Sequence, residues 1–341
     1  MTKTALNNTL NGKTILVTGG TGSFGKTFVK YLLDNFCPES IRIFSRDELK
    51  QWQLKNELAS HSNFPLLRFF IGDVRDKDRL SRACHKADII VHTAALKHVP
   101  VCEQDPIEAI KTNIYGAINV IDAALDNNAQ KVIALSTDKA SQPINLYGAT
   151  KLCSDKLFVQ ANNYRGDRGC QFSVVRYGNV IGSRGSVIPL FQKQKSSGTL
   201  TITDGKMTRF WLTLSQAVQF VSTSLATMQG GELFIPKIPS MRMIDLAKSI
   251  APDAKIEIVG LRPGEKMHES MISVDEALQT YDLGDRYMLE PMDLRNWNAN
   301  HPQYAQKERV PSDFSYTSAN NKDVLSIERM RSLLTDLDLD T

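Results

Sequence analysis

Residues 13–25 read Lys-Thr-Ile-Leu-Val-Thr-Gly-Gly-Thr-Gly-Ser-Phe-Gly, and this stretch decides the fold class. The apolar, largely β-branched run over 13–18 predicts a buried strand. Glycines at 19, 22 and 25 follow at once, and an amphipathic segment over 27–33 predicts a helix. Strand, glycine turn and helix in that order place a diphosphate against the backbone and the helix N-terminus. We therefore assign this turn to a dinucleotide cofactor, with contacts from Gly19, Thr21, Gly22, Ser23, Phe24 and Gly25.

The alternation of strands and helices continues along the first half of the chain. Further strands are predicted at 40–44, 65–71, 87–91, 131–135 and 172–176, with helices over 106–125 and 214–228. This pattern indicates an α/β protein with a Rossmann-like doubly wound parallel sheet, which binds its ligands at the carboxyl ends of the strands.

The division into domains follows from the same pattern. Residues 11–178, with returning segments at about 208–238, are expected to form the cofactor domain. Residues 179–207 and 239–290 are expected to form a smaller C-terminal α/β substrate-binding domain. Residues 291–341 are predicted to be an irregular tail with a terminal helix, packed through Leu325, Ile327, Met330 and Leu333.

The end of the second strand bears on the choice of cofactor. An acid about 20 residues past the glycine turn binds the ribose of NAD, whereas an arginine accepts the 2′-phosphate of NADP. Ser45, Arg46 and Lys50 favour NADP, although the neighbouring Asp47 and Glu48, or a purely superficial Arg46, leave NAD open. The ends of the next strands and the following helix supply the other predicted cofactor contacts: Asp73, Val74, Ala94, Ala95, Lys97 and Asn113.

Two short stretches carry the candidate chemistry, Ser136-Thr-Asp-Lys139 and Tyr147-Gly-Ala-Thr-Lys151. The first follows an apolar strand, and in the second the phenol and the amine are spaced i, i+4 on one helix face. We expect the ammonium to lower the pKa of the Tyr147 phenol and so to make it an acid or base near neutral pH. Taken alone, Asp138 and Lys139 are equally compatible with a surface ion pair.

Composition limits the classes of function. The chain has 341 residues, 42% hydrophobic and 23% charged, with a net charge of +4, too mild to indicate nucleic acid or an anionic membrane as partner. The five cysteines and six histidines show neither paired cysteines nor metal-ligand spacing, so we expect reduced thiols and no metal. No signal peptide and no apolar run of about 18 residues is present, which favours a soluble, cytoplasmic protein.

The motifs also carry a resemblance. Gly-x-x-Gly-x-x-Gly at 19–25 with Tyr147-x-x-x-Lys151 resembles the extended short-chain dehydrogenase/reductase family. Within it, Ser-Thr-Asp-Lys-Ala at 136–140, Asn-Leu-Tyr-Gly-Ala-Thr-Lys at 145–151 and Ala-Ala-Leu-Lys-His-Val-Pro at 94–100 resemble the inverting UDP-N-acetylglucosamine 4,6-dehydratases, over about residues 11 to 290. Those enzymes open the pathway to pseudaminic acid, which decorates flagellins. Retaining, membrane-tethered relatives and a group of dehydratase-epimerases have methionine in place of Tyr147.

The resemblance implies a role for each catalytic residue. Tyr147, assisted by Lys151, would take the proton of the sugar 4-hydroxyl while C4 delivers hydride to NADP⁺. Lys139 would then remove the C5 proton, Asp138 would protonate the departing 6-hydroxyl, and hydride would return to C6 with inversion at C5. Thr137, or Ser136, would hydrogen-bond the 4-oxygen. The family also implies a homo-oligomer, hexamers included.

The second half resembles the nucleotide-sugar-binding part of the same family. The resemblance assigns Asn179 and Arg209 to the diphosphate and Thr201 and Met207 to the uracil pocket. Arg262 and Glu265 lie in an Arg-Pro-Gly-Glu-Lys turn suited to bidentate phosphate binding, and Val187 lies in a glycine- and serine-rich loop that includes Arg184. Lys97 completes the predicted substrate contacts. For either arginine, a solvated surface charge is the alternative.

Two other functions compete with the dehydratase. A nucleotide-sugar 4-epimerase shares the Tyr/Lys pair and the cofactor site but needs no Asp138–Lys139 pair. A non-catalytic NADP-binding regulatory protein needs neither pair, so the presence of all four side chains argues against it.

Overall fold

The computed structural model describes residues 3–166, 169–183, 185–292, 297 and 301–335. Its strands, in chain order, are β1 Thr14–Thr18, β2 Ser40–Ser45, β3 Leu67–Ile71, β4 Ile89–His92, β5 Lys131–Thr137, β6 Gln171–Tyr177, β7 Asn179–Val180, β8 Thr199–Ile202, β9 Thr208–Leu212, β10 Leu233–Pro236, β11 Ser240–Arg242, β12 Lys255–Ile258, β13 Ser270–Ile272, β14 Thr280–Asp282, β15 Arg286–Leu289 and β16 Tyr316–Thr317.

The α-helices are α1 Lys3–Leu10, α2 Ser23–Asn35, α3 Glu48–Glu57, α4 Lys77–Cys84, α5 Val99–Gln104, α6 Pro106–Ile110, α7 Gly116–Asp126, α8 Leu146–Tyr164, α9 Val187–Lys195, α10 Leu214–Thr227, α11 Met243–Ile250, α12 Val274–Ala277 and α13 Ile327–Thr335. Single turns of 3₁₀-helix lie at Phe64–Leu66, Asp138–Ala140 and Pro302–Tyr304, and a π-helical turn lies at Lys111–Tyr115.

A nine-stranded sheet organises the molecule, in the order β14-β15-β10-β6-β5-β4-β1-β2-β3. Strands β1 to β6 and β10 are parallel, whereas β15 runs antiparallel to β10 and β14 antiparallel to β15. All five residues of β1 are buried, as expected of a parallel strand covered by helices on both faces. The predicted Rossmann-like α/β class is therefore confirmed.

One predicted helix is interrupted. The sequence predicts a single helix over 106–125, but the structure has α6, the π-helical turn and then α7. The wider turn carries Asn113, whose amide bonds to the backbone of Leu96 and to the Thr150 hydroxyl. These tertiary bonds account for the departure from regular helix, and π turns of this kind are often found at functional sites. The sequence also gave no indication of α1.

Apolar side chains form two separate clusters. The larger one covers both faces of the main sheet. The smaller one combines residues of 181–211 and 241–251 with Leu325, just before α13, and Met330, within it. The terminal helix is therefore packed, as predicted. Residues 293–296, 298–300 and 336–341 of the predicted tail lie outside the described residues, as does Arg184. In the part of the chain that is described, no helix is long and apolar enough to cross a membrane.

Candidate active site

A cavity of about 830 Å³ lies at the carboxyl ends of the central strands. It runs from the glycine turn past the ends of β2, β3 and β4 to the end of β5, where the Ser136–Lys139 stretch lies, and reaches the start of β7. The parallel sheet brings these separate loops to one edge. The structure thus gathers most of the predicted site at one cavity: Gly19, Thr21, Gly22, Ser23, Phe24, Gly25, Ser45, Arg46, Lys50, Asp73, Val74, Ala94, Ala95, Lys97, Thr137, Asp138, Lys139, Tyr147, Lys151 and Asn179.

The glycine turn fits the diphosphate of a dinucleotide. A Cβ at Gly25 would lie 2.6 Å from the Gly20 Cα, and one at Gly19 would lie 2.8 Å from the backbone nitrogen of Ala94. Gly22 caps α2 without any side-chain hydrogen bond, so the helix N-terminus meets the cavity uncovered by a side chain. Because the glycines have no side chains, an anion can lie close to the backbone here, where the positive end of the helix dipole also favours it. The residues of the glycine turn therefore fit the diphosphate of a dinucleotide cofactor.

The charged residues that bear on the predicted choice between NAD and NADP line the cavity at the ends of β2 and β3: Arg46, Asp47, Lys50 and Asp73. An Arg46 guanidinium nitrogen lies 3.6 Å from the Asp73 carboxylate, and the arginine side chain remains 57% exposed. Asp47 caps α3 by accepting the Lys50 backbone N–H, and its carboxylate lies 2.5 Å from the Lys50 ammonium. Asp47, the acid next to Arg46, is thus paired with Lys50 of the helix that it caps.

Asn113 does not reach the cavity, contrary to its predicted cofactor contact. Its side chain is 1% exposed, and its amide donates to the Leu96 carbonyl and the Thr150 hydroxyl while accepting the Leu96 N–H. All of these bonds lie within the protein. Asn113 therefore fixes the loop after β4, and that loop lines the cavity.

Tyr147 and Lys151 both face the cavity from the first turns of α8. Asn145 caps the N-terminus of this helix, since its side chain accepts the Gly148 N–H at 2.8 Å. A Cβ at Gly148 would collide with the carbonyl oxygen of Lys139, so glycine lets the helix approach the end of β5 closely. The close approach places the phenol beside the Thr137–Lys139 turn.

The predicted lowering of the Tyr147 pKa by Lys151 is wrong for this structure. Burial raises the pKa of Tyr147 to about 12, and the opposing charge comes from Lys139, with a hydrogen bond from Thr137 also lowering it. Burial likewise lowers the pKa of Lys151, which Asp155 opposes one turn further along α8. Spacing on the helix was predicted correctly, but tertiary burial decides the sign of the shift.

Lys139 lies between two carboxylates. Its Nζ is 3.1 Å from Asp138 Oδ1 and 3.0 Å from Glu269 Oε1, and both acids are almost completely buried. Burial lowers the pKa of Lys139, but the charges of Asp138 and Glu269 outweigh burial and hold it above its usual value. Burial raises the pKa of Asp138 and, together with the charge of Glu269, outweighs the Lys139 ammonium, which lowers it. Asp138 therefore keeps its proton to higher pH than an ordinary carboxyl.

A buried network of polar side chains lies beneath the Ser136–Lys139 stretch. Ser136 Oγ donates to Asp155 Oδ2 at 2.8 Å, and the fully buried Arg176 pairs with both Asp155 and Glu276. Lys151, Ser136 and Arg176 thus all interact with the Asp155 carboxylate beneath the cavity. Asp155 could have been found from sequence, because it continues the i, i+4 series of Tyr147 and Lys151.

Six predicted substrate contacts do not line the cavity: Val187, Thr201, Met207, Arg209, Arg262 and Glu265. Met207 belongs to the smaller apolar cluster. Thr201 accepts a bond from Gln194, and Val187 begins α9.

The two arginines of this group are engaged elsewhere. Arg209 is buried, with guanidinium nitrogens 3.7 Å from Glu265 and 3.8 Å from Glu269. Arg262 is exposed and lies 3.9 Å from the other oxygen of Glu265. Glu269, which the sequence did not reveal, therefore connects the arginine cluster to Lys139. No local pattern marks Glu269, because its partner is distant in the chain.

Comparison with known proteins identifies the family. A family model described as "Polysaccharide biosynthesis protein" matches residues 15–291. The chain belongs to this family, within the extended short-chain dehydrogenases/reductases. A relative from Campylobacter jejuni, "UDP-N-acetylglucosamine 4,6-dehydratase (inverting)", is 54% identical over 317 residues, which cover 91% of this chain and 94% of the relative. A "UDP-glucose 4-epimerase" of Rickettsia conorii is 43% identical, covering 96% of both chains.

Solved structures agree with the family assignment. Pen from Bacillus thuringiensis superposes with a TM-score of 0.87 at 38% identity, covering 97% of this chain and 99% of that one. The dTDP-glucose 4,6-dehydratase DesIV from Streptomyces venezuelae, solved with NAD and TYD bound, gives a TM-score of 0.66 at 25% identity, covering 74% and 86%. The resemblance stated from the sequence motifs is therefore confirmed.

Proposed function

We propose that the protein is a hydro-lyase that catalyses the inverting 4,6-dehydration of UDP-N-acetylglucosamine to UDP-2-acetamido-2,6-dideoxy-β-L-arabino-hex-4-ulose, with tightly held NADP. The observation that carries the proposal is the Asp138–Lys139 pair beside Tyr147 in one cavity. The 54% identity to the curated inverting dehydratase supports the same substrate and outcome.

Tyr147 acts first, as the base for the sugar 4-hydroxyl. A nicotinamide cofactor, which the glycine turn would hold, would supply reversible hydride transfer to and from the sugar. Tyr147 must be a phenolate to accept the hydroxyl proton, and the nearby charge of Lys139 favours that form. The Thr137 hydroxyl, which donates to Asp138 Oδ1 at 3.0 Å in the structure, would hydrogen-bond the 4-oxygen when the sugar is bound.

Lys139 and Asp138 then eliminate water across C5 and C6. The 4-ketone acidifies the C5 proton, which neutral Lys139 removes, and Asp138 gives its proton to the 6-hydroxyl as the C6–O bond breaks. The raised pKa of Asp138, caused first by burial, suits a proton donor. Reprotonation of C5 from the opposite face gives the inverted product.

NADP is the proposed form of the cofactor. Arg46 is exposed at the adenosine end of the cavity, and the engagement of Asp47 with Lys50 removes the competing acid. A 2′-phosphate there would take the place of Asp73 as the partner of Arg46.

The epimerase remains the second candidate, because a Rickettsia conorii relative bears that name. An epimerase returns hydride to C4 and has no use for a base at C5 or an acid at C6. The pairing of Lys139 with two buried carboxylates therefore favours the dehydratase.

Incubation with UDP-N-acetylglucosamine in deuterated water, followed by NMR, separates the candidates. A 6-deoxy-4-keto sugar with deuterium at an inverted C5 supports the dehydratase. UDP-N-acetylgalactosamine as sole product supports the epimerase, and no turnover supports a non-catalytic binding protein.

The wider setting is also a proposal. The product would enter pseudaminic acid synthesis for flagellin glycosylation in the cytoplasm, supported by the family resemblance and by five unpaired cysteines. We further propose a homo-oligomer, hexamers included, which light scattering would test. The proposed substrate domain finds support in the smaller apolar cluster, which joins residues of 181–211 and 241–251, whereas Met271, Tyr281 and Met288 of the proposed 239–290 segment pack with the larger cluster. The substrate roles of Arg209, Arg262 and the four other residues remote from the cavity remain predictions.

A further inference from the structure

Glu269 reaches the catalytic turn from a distant part of the chain. It precedes β13, yet its Oε1 lies 3.0 Å from Lys139 Nζ, on which Asp138 also converges at 3.1 Å. Only 1% of Glu269 is exposed. Lys139 is therefore held between one carboxylate of its own turn and one carboxylate from the remote segment.

The backbone of the Glu269 segment is fixed independently of its side chain. The Glu269 N–H donates to Ser318 Oγ at 2.9 Å, and its carbonyl accepts the Ser318 N–H at 2.8 Å. Upstream, Asn145 donates to the Gly264 carbonyl at 2.8 Å, and the Lys266 ammonium donates to the Ser141 carbonyl at 2.7 Å. The carboxylate is thus delivered to Lys139 by contacts that a Glu269 substitution leaves in place.

The same cluster contains unmet hydrogen-bonding capacity. Glu269 Oε2 and Asp138 Oδ2 are buried without a hydrogen-bond partner among the described residues. Burying such acceptors is costly, so stability alone does not account for two carboxylates around one amine. A functional demand on Lys139 does account for them.

We propose that Glu269 is a positioning residue for the dehydration, which holds the Lys139 amine at C5 of the sugar and sets the pH at which Lys139 becomes a base. This inference rests on the proposed function. Several charged groups face the cluster. Asp138 and Glu269 stabilise the ammonium, Arg209 opposes it, and Lys266 and Tyr147 also interact with the cluster.

The base step can be isolated from the redox steps. In the proposed reaction Lys139 takes the C5 proton before C5 is reprotonated from the opposite face, so its step is followed with substrate deuterated at C5, as the rate at which that deuterium is lost in a single turnover. We expect this rate to rise with pH as Lys139 loses its proton. In Glu269→Gln, one anion beside the ammonium is removed, so the midpoint of this rise falls by about 1 pH unit and the plateau rate is lower.

Two further variants complete the experiment. Glu269→Asp keeps the charge but withdraws it from Lys139, so its midpoint should lie between those of the wild type and Glu269→Gln. If the Gln variant does not fold, the Asp midpoint decides in its place. Glu276→Gln is the matched control: it removes a largely buried carboxylate that bonds Arg176, Ser141 and Ser273, and it should leave the midpoint unchanged.

The possible results separate failure of the Glu269 inference from failure of the proposed function. A wild-type midpoint in a folded Glu269→Gln variant overturns the inference, even if the plateau falls, because a merely structural role lowers the rate at every pH alike. If the Glu269→Gln variant does not fold, a Glu269→Asp variant with the same midpoint as the wild type overturns the inference. A wild type that forms no 6-deoxy-4-keto product instead refutes the proposed function, whatever the Glu269 variants do.

Discussion

Tyr147 and Lys139 both rest in their protonated forms, and each must lose a proton before it can act as a base. Burial raises the pKa of the Tyr147 phenol, whereas the charges of Asp138 and Glu269 raise the pKa of the Lys139 amine. The i, i+4 spacing of Tyr147 and Lys151 was readable from the sequence, but the sign of the Tyr147 pKa shift was not. That sign depends on how deeply α8 packs against the end of β5, which no local pattern encodes.

His92, at the end of β4, makes stability depend on pH. Burial lowers its pKa to about 3, with the Lys151 charge adding to the effect, and its ring shares a hydrogen bond with Thr18 Oγ1 at 2.8 Å. Below about pH 6.5 the unfolded chain binds a proton that folded His92 does not, so stability falls as pH drops from about 6.5 towards 3. Between pH 7 and pH 5, urea unfolding of the wild type should lose about 2 kcal/mol more than that of His92→Gln.

The matched control for that measurement is His85→Gln, which changes an exposed histidine at the end of α4. It should lose as much stability as the wild type over the same pH range. Equal losses for the wild type and His92→Gln would show that another group causes the acid sensitivity.

Arg46 tests the choice of cofactor at the level of one side chain. Arg46→Ala should weaken NADP binding at least about tenfold and leave NAD binding nearly unchanged, because only the 2′-phosphate needs the guanidinium. Calorimetric titration of nucleotide-free protein with both cofactors measures this. Arg68→Ala, an exposed arginine at the start of β3, is the control and should alter neither affinity. An equal loss for NAD and NADP would refute the NADP assignment.

At the scale of elements, the β1–turn–α2 unit was predictable because its glycine spacing encodes one backbone geometry. The interrupted helix over 106–125 was not, since a π turn keeps the apolar pattern of a helix nearly intact. The π turn is stabilised by tertiary hydrogen bonds, in which the Asn113 side chain donates to Leu96 and to Thr150. The antiparallel strands β14 and β15 were also missed, because three or four residues are too few to show an alternating pattern.

The glycine turn leads to a prediction for the whole β1–α2 unit. Gly25→Ala places a Cβ 2.6 Å from the Gly20 Cα and 2.7 Å from the Gly19 carbonyl oxygen, both backbone atoms that cannot move alone. The helix must shift away from the turn, so we expect at least about tenfold weaker dinucleotide binding and a lower Tm. Quantifying the nucleotide released on denaturation measures the first effect.

The control for Gly25→Ala is Gly205→Ala, whose Cβ would meet nothing closer than Ile244 Cδ1 at 4.0 Å. It should retain the bound nucleotide and the Tm of the wild type. Full nucleotide occupancy in Gly25→Ala would mean that the turn does not carry the diphosphate.

At the scale of the whole molecule, the alternation of strands and helices sufficed to predict the sheet and the edge that carries the site. What it did not reveal are contacts between segments far apart in sequence. Glu269 beside Lys139, and Arg176 beneath Ser136, come together only when the segment before β13 and strand β6 meet the end of β5. The remote segment turns a strand-end ion pair into a buried three-residue cluster.

In the proposed reaction, Lys139 converts a transient oxidation at C4 into loss of water. A single-turnover reaction of Lys139→Ala with UDP-N-acetylglucosamine in deuterated water tests it most directly, with nicotinamide reduction and C5 deuterium followed together. We predict that the variant retains its cofactor and still oxidises C4, but incorporates no deuterium at C5 and forms no 6-deoxy sugar. Deuterium incorporation and product formation at the wild-type rate would contradict the claim.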